Sequence, residues 1–150
     1  MRTKSVGKVL ELFITDADKS KDRESVTSVN VDPNGILNDK FYSKDPMRAI
    51  LITSKESYEL SMKNGIKLQT GSLGENILID INPYALQHGE KIKIGDTILE
   101  ITQHCTLCKG LSTVNSKLPK LLKNDRGIFA RVIEGSSEIV LDDKVEILNY

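Results

Sequence analysis

The sequence predicts a mainly β domain, a closed or nearly closed β-barrel with a few short peripheral helices. Three observations carry that expectation. Strand-like segments are numerous, short and bounded by turn residues, and helical periodicity is confined to a few brief stretches. No composition shift or Ser/Gly-rich linker divides the 150 residues, so residues 1–150 read as a single domain.

The elements follow in order. Gly7 to Thr15 is an apolar run read as the first strand. Glu24 to Asp32, with alternating Val29 and Val31, and Arg48 to Thr53, with the triplet Ile50, Leu51, Ile52, read as two more. Ile77, Ile79 and Ile81 alternate along one strand face. Lys91 to Thr102 reads as a hairpin about Gly95-Asp96, and Glu138 to Leu148 as a second about Asp142-Asp143. Thr53 and Glu56 form a capping-box pattern that opens a helix, Tyr58 and Met62 are spaced by four, and Gly65 closes it as a C′ residue. Leu107, Leu111 and Val114 keep the helical period, as do Leu118, Leu121 and Leu122.

Charge excludes several function classes. The chain carries 21 Lys+Arg against 21 Asp+Glu, a formal net charge of zero, which disfavours electrostatic capture of nucleic acid or an anionic membrane surface. Aromatics at 5%, with no Trp, leave few platforms on which bases stack. No run of about 18 apolar residues predicts a spanning helix. The apolar run Val9 to Ile14 is short, is interrupted by Glu11 and lacks a small-residue cleavage site, so it is read as strand and not leader. The expected compartment is the cytoplasm, where thiols stay reduced.

The chemistry points first to ITQHCTLCKGL, Ile101 to Leu111, which holds both cysteines of the chain. Cys108 lies near the start of a predicted helix, where unpaired N–H groups and the positive end of the dipole favour a thiolate, helped by Lys109 and His104. Such a thiolate is a nucleophile or a soft-metal ligand. The alternative is that Cys105 and Cys108 fill a core corner. A structural zinc site has only Cys105, Cys108, His104 and His88 to draw on, without a second paired knuckle. A c-type haem needs His immediately after the second Cys, whereas His104 precedes the pair, and a thioredoxin-like dithiol belongs in a βαβ context that the hairpins do not supply.

TGSLGEN, Thr70 to Asn76, is the second feature. Gly71 and Gly74 allow a tight loop whose amides can cradle an anion, with Glu75 and Asn76 adding an acceptor and an amide; the plainer reading is a Gly turn feeding the next strand. In NGILND, Asn34 to Asp39, Asp39 either orients a cationic or hydroxyl partner or serves the turn. Arg48 follows it, and Arg126 and Arg131 flank the strand RGIFARV.

Taken in order, these pieces resemble the MOSC domain, the C-terminal domain family of molybdenum cofactor sulfurases, in its short, stand-alone bacterial form. The resemblance rests on the Gly7 strand, the Gly35 to Asp39 turn, the GxxGEN loop Gly71 to Asn76, IGDxxLEIT through Thr102, Cys108, and GIFARVIEG. It implies a mostly β barrel with a site built around one cysteine. Cys108 and Leu111 match the family's Cys-x-x-Leu, which assigns Cys108 the part of persulfide sulfur carrier or molybdenum thiolate ligand. The implied cofactor is the molybdenum cofactor (molybdopterin), with Asp39, Arg48, Gly71, Gly74, Glu75, Asn76 and Arg126 as candidate binding residues.

No pyridoxal phosphate site is apparent in the sequence, so the resemblance implies that any sulfur donor is another protein, with a cysteine desulfurase or a molybdoenzyme as the expected partner. Asn38 and Phe41 stand where the larger, N-hydroxylated-compound reductases carry Gly and His, Leu107 stands for the usual Pro, and Cys105 falls where members often carry Arg. These departures argue against a reductase. A non-catalytic module for a small anion or a protein, with structural cysteines, is the alternative from another class.

Overall fold

The computed structural model describes residues 2–15, 24–105, 115–123 and 125–149. Its strands run β1 (Arg2–Ile14), β2 (Glu24–Val26), β3 (Ser28–Asp32), β4 (Gly35–Ile36), β5 (Ile50–Ser54), β6 (Ile77–Ile79), β7 (Lys91–Ile94), β8 (Thr97–His104), β9 (Ile128–Val132), β10 (Ser137–Val140) and β11 (Lys144–Asn149). The helices are α1 (Lys55–Lys63) and α2 (Leu118–Leu121), with a 3-10 turn at Pro46–Arg48.

Seven strands close into a barrel in the order β11-β7-β8-β9-β5-β6-β1, because β1 also pairs with β11. β1 makes this possible by its length. Leu12 of β1 lies between Ile77 of β6 and Val26 of β2, which therefore occupy its opposite edges, while the Arg2 to Lys8 stretch pairs with β11. A separate sheet, β10-β3-β4, packs beside the barrel. The lumen is filled. Ile50, Ile52, Ile77, Ile79, Ile92, Ile94, Leu99, Ile101, Ile128 and Ala130 are all fully buried in one core.

Two strand predictions are corrected by sheet membership. Glu24 to Asp32 is two strands, since β2 pairs with β1 whereas β3 pairs with β10 and β4. At 138–148 the chain does turn, with Asp142 at φ 69°, yet β10 and β11 are not a hairpin: β10 joins β3, and β11 joins β7 and β1. The Lys91 to Thr102 hairpin forms with Ile94 opposite Thr97. Arg48 lies in the 3-10 turn, so the strand begins at Ile50; Asp45 caps that turn, its carboxylate accepting the Met47 N–H at 2.9 Å.

α1 begins one residue later than its capping-box pattern suggests. Ser54 caps it by accepting from the Glu56 N–H, because the Thr53 hydroxyl is spent on Glu75, 2.8 Å away. β5 and β6 are parallel, and parallel neighbours need a crossover. α1 and the 64–76 segment supply it. That segment is held by a second, smaller core of Ile66, Leu73, Leu118 and Leu122, which seats the GxxGEN loop against α1 and α2. The predicted helix at Leu107 to Val114 lies outside the described residues, and among those described no helix is long and apolar enough to cross a membrane.

Leu12 tests the closure. It is fully buried on the strand that joins both ends of the barrel, so Leu12→Ala should lower the urea-unfolding free energy by about 2–5 kcal/mol, the usual cost of a core cavity.

Candidate functional site

The site lies on the outer face of the barrel. Leu51 of β5 is opposite Phe129 of β9, and both alternate with the core residues Ile50, Ile52, Ile128 and Ala130, so their side chains leave the wall on the side away from the lumen. Over them lies a cavity of about 380 Å³, lined by Phe41, Lys44, Asp45, Arg48, Ala49, Leu51, Leu73, Gly74, Asn76, Cys105, Arg126 and Phe129. Its floor is buried, with Leu51, Leu73, Cys105 and Arg126 each under a tenth exposed. Its rim is formed by exposed Phe41, Lys44, Asp45 and Arg48.

Four of the predicted binding residues meet in this cavity: Arg48, Gly74, Asn76 and Arg126. Among the described residues that line it, three cations, Lys44, Arg48 and Arg126, accompany one carboxylate, Asp45, which accepts a backbone N–H. The Arg48 guanidinium stacks over the Phe129 ring at 5.4 Å, which holds a long side chain at the rim at low entropic cost. Arg126 sits between two residues whose carbonyls are held. The carbonyl of Asp125 accepts from the Ser57 hydroxyl, and the carbonyl of Gly127 accepts from the Cys105 N–H at 3.0 Å. A Cβ on Gly127 would stand 2.9 Å from Leu51 Cδ1, so a side chain there would require Leu51 to shift.

The other predicted residues serve the frame. Asp39 is buried, and its carboxylate accepts from the Thr15 N–H at 2.8 Å and the Phe41 N–H at 3.1 Å, tying the end of β1 to the rim. Gly71 has φ +90°, and an added Cβ would meet the Phe13 ring at 3.1 Å. Glu75 is fully buried on the far side of its loop, where one oxygen accepts from Thr53 and from the Tyr58 hydroxyl. Tyr58 in turn accepts from the N–H groups of Gly71, at 3.1 Å, and Leu73, at 3.4 Å. The Gly74 N–H donates to the Gly71 carbonyl and the Ser72 N–H to Gln69. The loop amides at Gly71, Ser72, Leu73 and Gly74 are therefore engaged within the protein, and the anion-attracting charge of the cavity comes from guanidinium and ammonium groups.

Asn76 explains the end of the GEN motif. Its backbone N–H donates to Leu51, and its carbonyl accepts from Phe13. Its side chain repeats the pattern, Oδ1 accepting from the Leu51 N–H at 3.0 Å and Nδ2 donating to the Phe13 carbonyl at 3.3 Å. One residue thus bridges β1 and β5 where β6 begins. Cys108, the residue on which the sequence reading places the reactive thiol, lies outside the described residues, as do Leu107 and Lys109.

Cys105, three residues earlier, is in the cavity wall, which its position after β8 in a mixed polar stretch did not signal. Lys44 and Phe129 were likewise missed; each is ordinary in its local sequence. His104 Nε2 lies 2.9 Å from the Leu86 carbonyl, and among the described residues no three His, Cys, Asp or Glu side chains gather as a metal-binding group.

A model of the MOSC domain matches residues 39–146, and the chain belongs to that family, which is associated with the molybdenum cofactor. No curated protein matches the chain. Solved structures share its fold. YuaD from Bacillus subtilis superposes with a TM-score of 0.82 at 20% identity, over 99% of this chain and 100% of that one. YiiM from Geobacillus stearothermophilus gives 0.73 at 16% identity over 95% and 75%, and YiiM from Escherichia coli 0.67 at 18% over 95% and 70%.

Burial is the main cause that raises the Tyr58 hydroxyl pKa well above its ordinary 10.0, with the neighbouring Glu75 charge adding to it, and burial pushes Tyr84 up to about 12. Both are raised relative to the unfolded chain. Their contribution to stability is therefore complete below about pH 10 and is lost as pH rises through the folded-state values. Urea-unfolding free energy should accordingly fall from pH 9 to pH 11, with a smaller fall in Tyr58→Phe. At neutral pH Tyr58→Phe should cost about 1–3 kcal/mol, since two loop N–H groups lose their acceptor and Glu75 loses one of its two donors.

Proposed function

We propose that this domain binds the molybdenum cofactor, or its molybdopterin part, in the outer cavity, and that Cys108 is the thiol that works on it. The observation that carries the reading is the convergence of Arg48, Arg126 and Lys44 with Gly74, Asn76 and Cys105 in one cavity, three residues before Cys108. The residues fit the group. Its size is within the usual range for small-molecule sites, roughly 300–1,000 Å³. Buried Arg126 and the rim cations suit a phosphate, and the Leu51, Leu73 and Phe129 surfaces suit a flat heterocycle. When bound, the cofactor would supply a molybdenum centre with an affinity for soft sulfur donors.

The chain's own part is to hold the anionic end, to cover the ring with apolar side chains, and to present a thiolate. As a sulfur carrier, the Cys108 thiolate attacks the outer sulfur of a donor persulfide. A new S–S bond forms, the donor's S–S bond breaks, and the donor leaves as a thiolate, so no external oxidant is required. A cysteine desulfurase is the donor class this reading requires, and a molybdoenzyme the receiver.

Protein purified from a molybdate-replete host should contain molybdenum, and incubation with a cysteine desulfurase and cysteine should add one sulfur, removable by reductant, in the intact mass. Cys108→Ala should lose the sulfur increment while keeping its fold by circular dichroism. Arg126→Gln should lower molybdenum content about tenfold, as expected for loss of a charge-assisted contact. Retention of both molybdenum and the sulfur increment in the two variants would refute the assignment.

A further inference from the structure

A chain of hydroxyl groups runs from the start of α1 to the peptide that precedes Arg126. The Ser54 N–H donates to the Tyr84 hydroxyl at 2.7 Å, Tyr84 Oη and Ser57 Oγ lie 2.6 Å apart, and Ser57 Oγ donates to the Asp125 carbonyl. The direction is fixed by proton count. A carbonyl only accepts, so the single hydroxyl proton of Ser57 goes to Asp125, and Ser57 must accept from Tyr84, whose oxygen accepts from Ser54. Ser54 and Ser57 are fully buried and Tyr84 nearly so, which excludes water as a substitute partner and makes each bond costly to leave unmade. Tyr84, like any tyrosine, is protonated at neutral pH, so the relay retains its donor.

We propose that Tyr84 and Ser57 are positioning residues for the anion site, acting through the Asp125 peptide to set where the Arg126 guanidinium stands in the cavity. Neither lines the cavity itself. One residue beyond Arg126, the Cys105 N–H holds the Gly127 carbonyl. With the Asp125 and Gly127 carbonyls held, the residues on either side of Arg126 are anchored by their backbone, as a binding group requires. The inference rests on the reading of the cavity as an anion site.

The test uses inorganic phosphate as the probe, with NMR titration of the full chain. Arg126→Gln, Ser57→Ala, Tyr84→Phe and the double variant Ser57→Ala/Arg126→Gln are compared, with thermal melting on each. Ser57→Ala and Tyr84→Phe should each weaken phosphate binding about fivefold to tenfold, the scale of a loosened charge-assisted contact. In the Arg126→Gln background the Ser57→Ala loss should vanish, whereas its effect on melting should persist; a purely structural role would leave the two binding losses additive. Full additivity, or unchanged affinity in Ser57→Ala, overturns the positioning role. If Tyr84→Phe does not fold, Ser57→Ala, which removes one oxygen, decides the question. If Arg126→Gln itself binds phosphate as well as the parent, the cavity reading fails and the positioning role with it, an outcome distinct from loss of the relay alone.

Discussion

Closing a sheet into a barrel demands that its two end strands pair with each other, and here that closure falls on β1, which takes β11 along Arg2 to Lys8 and β6 along Val9 to Leu12. Its thirteen residues take β6 on one edge and β11 and β2 on the other. Because the ring closes, its interior is packed with Ile, Leu and Val, and chemistry must be placed on the outside. The parallel pair β5–β6 is the second consequence. It needs a crossover, and that crossover carries both α1 and the GxxGEN loop to the rim of the same outer face.

The cavity is assembled by hydrogen bonds that end on backbone groups. Asn76 bridges β1 and β5, Tyr58 gathers the loop amides, and the Cys105 N–H and the Ser57 hydroxyl hold the carbonyls that flank Arg126. Loop residues that read as ligand contacts in a linear motif thus act as the frame. Glu75, with its carboxylate turned toward Thr53 and Tyr58, is the clearest example. The charge that distinguishes the site comes from separated positions, Lys44 and Arg48 on the approach to β5 and Arg126 ahead of β9. A neutral chain can therefore hold a locally cationic pocket without any basic face.

Most strands were legible because they are short-range patterns. Alternating isoleucines in β6 and the Gly95-Asp96 turn between β7 and β8 depend on neighbours a few residues apart. Where two runs adjoined, periodicity misled. Val29 and Val31 belong to a different sheet from Val26, and the Asp142-Asp143 turn separates strands that never pair. The same limit affected the capping box, since Thr53 looked like the cap until Glu75, 22 residues away, claimed its hydroxyl.

By itself the sequence determined the β-rich class, the order of motifs that marks a MOSC domain, and four residues of the cavity, Arg48, Gly74, Asn76 and Arg126. Each is encoded locally, in a turn residue, a charged residue or a fixed spacing. Only the tertiary structure decided that Cys105 joins them, that Asp39, Gly71 and Glu75 support the wall, and that Tyr84 and Ser57 reach the peptide before Arg126. The physical reason is that barrel closure and the crossover bring together residues from four distant segments. No local period records which side chains will then face one another.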